Sequence, residues 1–135
     1  MSKIDGGCLC GKVRYSTAAE PVFTAVCHCK NCQKQTGTSF SVLVAVPSTA
    51  LSVKGALKTF EDTGDSGKSV HRSFCPDCGS PIMSVVEAVP GLSFIKAGTL
   101  DDPNWLKPTM EIYCASAQPW VPLSGDTQKF AKAPG

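Results

Sequence analysis

The chain has 135 residues, of which 42% are hydrophobic and 18% charged, and a formal net charge of +2. That composition suits a single folded domain and excludes wholesale disorder. So small a charge, with no run of Lys or Arg, also excludes the basic footprint of a nucleic-acid binder.

The stretch from Met1 to Gly7 lacks the apolar centre of a signal peptide, and the longest apolar run, Val42 to Pro47, is far too short to cross a membrane. A cytoplasmic location and no membrane partner are therefore expected. Gly6-Gly7-Cys8-Leu9-Cys10-Gly11 is a tight, glycine-flanked pair of thiols. Alternation from Lys12 to Ser16 predicts a strand with one wet face, and Glu20-Pro21 breaks it. Val22 to Val26 predicts a second strand that delivers Cys27 at its end. The polar stretch from Cys29 to Thr36 has no β-branched residue before Thr36, and predicts one short helix ending at Gly37. Val42 to Val46 is the strongest β segment, ended by Pro47. Short strands follow at Leu51–Gly55, Leu57–Glu61, Ser69–Phe74, Pro81–Val86 and Leu92–Ala97, with a surface loop at Asp62–Lys68. Glu111 to Ala115 predicts the last strand, and Pro119-Trp120 closes the fold. One domain over residues 4–124, mainly β and mostly antiparallel, with a frayed tail over 125–135, is the expected organisation.

The eight cysteines carry the chemistry. Their C-x-C and C-x2-C spacings suit metal coordination better than unstrained disulfides, and nothing points to secretion. Cys27 and Cys29, two apart in an extended segment, project to one side, and a turn returns Cys32 to the same point. Three sulfurs there can hold zinc with a fourth corner open, which suggests chemistry rather than structure. Cys8, Cys10, Cys75 and Cys78 can form a separate, closed four-sulfur site, structural in role. Seven metal-bound thiolates and two Zn2+ would turn the formal +2 into −1.

His28, between two of the thiols, should point away from them as an exposed imidazole or one outside the ligand set. His71 reads as a surface residue on its strand, with the alternative that it faces the cysteine cluster. Cys114, the odd thiol, reads as a small buried apolar group, with the alternative that it closes the site at Cys27. Trp105, Trp120 and Phe40 read as core or rim, with Phe40 best placed to line a pocket. Lys30, Lys34, Arg14 and Arg72 are solvated charges, or a set that offsets thiolate charge and attracts an anionic substrate. His28 and Glu111 are the available general bases, neither well marked.

Gly6-Gly7-Cys8-x-Cys10-Gly11-x-Val13-Arg14-Tyr15, Cys27-His28-Cys29-x-x-Cys32, Arg72-x-Phe74-Cys75-Pro76-x-Cys78-Gly79-Ser80, Gly98-Thr99-Leu100-Asp101-Asp102 and Pro119-Trp120 together resemble the glutathione-dependent formaldehyde-activating enzyme family, which includes the centromere protein V group. The resemblance runs from about Gly6 to Val121. It implies a zinc-stabilised β-tent fold of short antiparallel strands, with a structural zinc on Cys8, Cys10, Cys75 and Cys78. It further implies a labile, catalytic zinc on Cys27, Cys29 and Cys32. The activity it implies is carbon–sulfur lyase chemistry, joining formaldehyde to glutathione as S-hydroxymethylglutathione. The expected partners are therefore a small-molecule thiol and an aldehyde, and the expected cofactor is Zn2+, two per chain. The rival expectation is a zinc-stabilised interaction module without catalysis, which predicts a closed second site and a contiguous apolar or basic patch.

Overall fold

The computed structural model describes residues 4–134, so Met1, Ser2, Lys3 and Gly135, named above in the N-terminal stretch and the tail, lie outside the described residues. Eleven strands and one α-helix follow in the order β1 (Ile4–Gly7), β2 (Arg14–Thr17), β3 (Phe23–Cys27), α1 (Lys30–Thr36), β4 (Ser41–Pro47), β5 (Ser52–Lys54), β6 (Lys58–Thr63), β7 (Ser69–Phe74), β8 (Pro81–Val86), β9 (Leu92–Lys96), β10 (Met110–Ile112) and β11 (Gln128–Lys129). They form a three-stranded sheet, β1-β2-β5, and an eight-stranded sheet, β11-β10-β3-β4-β9-β8-β7-β6. The mainly β architecture with one helix after the central cysteines is as expected. No helix among the described residues is long and apolar enough to cross a membrane.

The centre of the large sheet is β4, whose Val44, Ala45 and Val46 are fully buried. A strand buried on both faces reads as a continuous apolar run, which is why this segment gave the clearest strand signal. Val44 and Val46 face the smaller sheet, in a core with Ile4, Val13, Tyr15, Ile82 and Ile95. Leu43 and Ala45 face the other way, onto Cys27, Cys32 and Phe94. Phe23 and Phe94 meet edge-on there, with centroids 5.8 Å apart. β1 carries no strand signal in the sequence because half of it is glycine. Gly6 is needed there, since a Cβ would overlap the Tyr15 hydroxyl and the Thr99 carbonyl.

Three expectations need correction. The last strand does not run to Ala115: it ends at Ile112, because Tyr113 takes a left-handed backbone (φ 55°) and Cys114–Ser116 form a 3-10 turn. The pairing is mainly antiparallel, as expected, with β10 lying parallel to both β3 and β11. The tail is not frayed over 128–132: Gln128 and Phe130 donate to Thr109 and Glu111, while Tyr113, Cys114 and Ala115 donate to Lys132, Phe130 and Ala131. Gly, Lys and Pro in a sequence suggest mobility, but an open sheet edge supplies partners that composition does not reveal. Trp120, moreover, is exposed, at the rim rather than closing the fold.

On the outer strands, His71 bridges Glu61 (2.5 Å) and Glu87 (2.8 Å). The hydrogen bond with Glu61, then that with Glu87, raises its pKa against a smaller opposing effect of burial. A raised folded-state value stabilises the protein fully below the ordinary imidazole value of about 6.5, and the benefit is lost as pH rises through the raised value. Comparing melting temperatures of the parent and His71→Gln should therefore show a gap that is widest near pH 5 and closes at alkaline pH. A gap unchanged from pH 5 to 9 would show that the two carboxylates do not act on the ring.

Candidate metal centres

The first thiol cluster forms where two turns meet. Cys8 and Cys10 come from the β1–β2 connection, Cys75 and Cys78 from that between β7 and β8, and their four sulfurs lie within 4.8 Å of one another. Cys8 and Cys10 are 3.5 Å apart and Cys10 and Cys75 3.7 Å. Metal–sulfur bonds of about 2.3 Å at tetrahedral angles place sulfurs about 3.8 Å apart, so the donor set fits such an ion. The backbone N–H of Val13 donates to Cys8 Sγ at 3.2 Å, and the Ser80 hydroxyl lies 3.2 Å from Cys78 Sγ. These contacts favour thiolate, and Cys78 is pulled down to about 5, led by the Ser80 hydroxyl. Gly79, at φ 78°, makes the left-handed turn that lets the second knuckle close.

The second cluster is Cys27, Cys29 and Cys32, also within 4.8 Å. Cys27 ends β3, Cys29 caps the N-terminus of α1 and accepts the Cys32 N–H at 3.3 Å, and Cys32 lies in the helix's first turn. The helix thus begins one residue later than expected because the second thiol serves as its cap. Cys27 and Cys32 are buried and Cys29 is half-buried, so the cup opens on the Cys29 side. The three sulfurs share charge unevenly. Hydrogen bonds to Cys29 and Cys32, with burial, push Cys27 well up, whereas Cys27 and Cys29 together with Lys96 and Arg72 hold Cys32 down at about 2.

Two cations beside this cup are buried. Arg72, 5% exposed, points Nη1 at Cys32 Sγ (3.7 Å) and is anchored by Asp62 at 2.9 Å, which in turn accepts from Asn31. Lys96, 4% exposed, donates to Ser41 at 2.9 Å, and Ser41 sits opposite Cys27 across β3 and β4. Burial pulls the Lys96 amine below its usual value, although the three thiols oppose that. Arg72 thus takes the charge-offsetting place its sequence context allows, whereas nothing in local spacing assigns Lys96 to the thiols. The available signal is a lysine ending the mainly apolar segment Leu92-Ser93-Phe94-Ile95.

The other named residues lie elsewhere. Arg14 pairs with Asp101 on the surface, and Lys30 and Lys34 are both exposed on α1, so of the four basic residues only Arg72 reaches the thiols. His28 does point away from them, as its place in the strand predicted, but it is 1% exposed rather than at the surface. Its Nε2 lies 2.9 Å from Glu111 Oε1, and Glu111 is itself buried. The two candidate general bases therefore pair with each other on the far face of the sheet. Cys114 is half-buried with its thiol toward the Glu111 carbonyl at 3.5 Å, and is no part of either cluster.

This is a small, cysteine-rich β protein with one closed four-thiol cluster and one three-thiol cup, each of a geometry that could hold a metal ion. The sequence profile of the family described as glutathione-dependent formaldehyde-activating enzyme matches residues 3–116, and the chain belongs to that family. It is 30% identical over 112 residues to a Phaeosphaeria nodorum protein, and 29% identical over 114 residues to one from Aspergillus oryzae, both provisionally named glutathione-dependent formaldehyde-activating enzymes. These matches cover 81% of this chain but only 58% and 59% of those relatives, so the chain spans under two thirds of their length. A crystal structure of a Rhodobacter sphaeroides protein, 20% identical, superposes with a TM-score of 0.59 over 74% of this chain and 90% of that one. It shares the fold.

Proposed function

We propose that this chain is a zinc-dependent carbon–sulfur lyase or ligase acting on a small thiol, such as glutathione, and an aldehyde, such as formaldehyde. The names of its relatives support the substrates, and the three-thiol cup supports the chemistry. The observation that carries the reading is that Cys27, Cys29 and Cys32 converge without a fourth protein donor among the described residues, whereas the other cluster has four. Zinc held in the cup would supply a Lewis acid and keep an incoming thiol as thiolate.

The chain's own residues do the rest. Cys27, Cys29 and Cys32 would hold the ion, with Cys29 at the open side. Arg72, fixed by Asp62, and Lys96, fixed by Ser41, place two buried positive charges beside the cup. Such charges favour an anionic thiol and the negative charge that grows on the aldehyde oxygen. In the joining direction the sulfur's electron pair adds to the carbonyl carbon, and the thiol's proton ends on the carbonyl oxygen. The lyase direction reverses both. Eight unpaired thiols also suit a reducing compartment, in keeping with a cytoplasmic location.

Freshly purified protein is expected to carry about two zinc equivalents and to fall to about one under mild chelation with its circular dichroism unchanged, because three protein bonds hold less firmly than four. The assay is metal analysis before and after chelation. Two ions equally resistant to chelation, with Cys114 or His28 found as a fourth ligand, would instead favour the interaction module.

A further inference from the structure

On the far face of the large sheet lies a cavity of about 230 Å³ that the thiol chemistry does not use. Val26 and Glu111 are register partners and line it, whereas the next pair, Cys27 and Ile112, belongs to the thiol face. Its floor is the buried His28–Glu111 pair, and Phe40, Pro108 and Val121 form apolar walls. The Glu111 carboxylate is saturated: Oε1 faces His28 Nε2, while Oε2 accepts from the Ser124 N–H and the Thr127 hydroxyl. His28 Nδ1 is buried and has no partner among the described residues, a deficit that native proteins rarely leave open. At the rim, Lys107 and Asp126 both line the cavity, and neither forms an ion pair among the described residues.

We infer that this cavity is a second small-molecule site, taking a short zwitterion of amino-acid or dipeptide type. The ligand lies over the His28–Glu111 floor, its carboxylate facing Lys107 and its ammonium facing Asp126. The apolar walls hold the carbon skeleton. A volume below the roughly 300–1,000 Å³ of drug-sized pockets restricts the site to small molecules. The inference is independent of the proposed reaction, because the floor and the thiols lie on opposite faces of one sheet.

The test uses the full chain, isotope-labelled, titrated with glycylglycine and, separately, with the uncharged N-acetylglycinamide. Glycylglycine should give saturable shifts in the amides of Val26, Glu111 and Thr127, and the uncharged analogue should bind about tenfold more weakly. Lys107→Glu and Asp126→Lys, both at exposed positions, should each weaken glycylglycine about tenfold and leave the fold intact. No saturable shift at tens of millimolar overturns the assignment, as do shifts that map to Cys29 and Cys32 or that ignore both charge reversals. Metal content and thiol chemistry are measured independently, so this site can fail while the proposed function stands.

Discussion

Replacing Cys78 by serine is expected to deprive the chain of its stable fold. The four-thiol cluster ties the β1–β2 turn to the β7–β8 turn, positions about seventy residues apart in sequence, and so links the small sheet to the large one. Binding of an ion to such a site is folding free energy, since the unfolded chain has no preformed cup. The domain is small enough that a loss of several kcal/mol consumes much of its stability, which for natural domains is about 5–15 kcal/mol in total. Its core cannot compensate: Val13 and Cys75 are already fully buried, and Ile4 and Cys8 pack in the same cluster beside the sulfurs. The measurements are soluble yield and thermal melting of Cys78→Ser beside the parent. A variant that melts with the parent would show that the cluster holds no stabilising ion.

The same clusters explain which parts of this protein were legible in its sequence. Short-range spacing brought Cys27, Cys29 and Cys32 together on paper because a strand end, a cap and a first helical turn are local geometry. The pairing of Cys8 and Cys10 with Cys75 and Cys78 was legible by chemistry, since two open knuckles need each other. Most strands were legible from alternation, with β4 clearest because burial on both faces leaves it wholly apolar. What escaped were relations made only by the fold. Local spacing leaves His28 either exposed or just outside the ligand set, and only β10, arriving beside β3, decides it by setting Glu111 against the ring, 83 positions away. Lys96 becomes a companion of the thiols only because β9 lies next to β4, bringing its amine to Ser41. The tail becomes a strand only because β10 offers it an edge.

Cys32→Ser is the variant on which the function turns, and it is expected to keep the fold while losing the second metal and the activity. Of the three thiols, Cys32 is the one that Arg72 contacts and the one held most strongly as thiolate. A serine there offers a poor ligand to a soft-metal site, and leaves Arg72 without its sulfur partner. Loss of outer partners alone commonly costs 10–100-fold, so loss of a direct ligand should lower the rate of thiol–aldehyde addition by more than about a hundredfold. The fold should change far less, because the four-thiol cluster and the core between the sheets are untouched. A shift of a few degrees in melting temperature corresponds to about 1 kcal/mol in a domain of this size. Cys114→Ser is the control: its thiol faces the Glu111 carbonyl and lies outside both clusters, so both metals and the activity should remain. Metal analysis on the two variants separates the outcomes. If Cys32→Ser still binds both ions, or Cys114→Ser loses one, the cup is not an open three-thiol centre and the lyase reading falls with it.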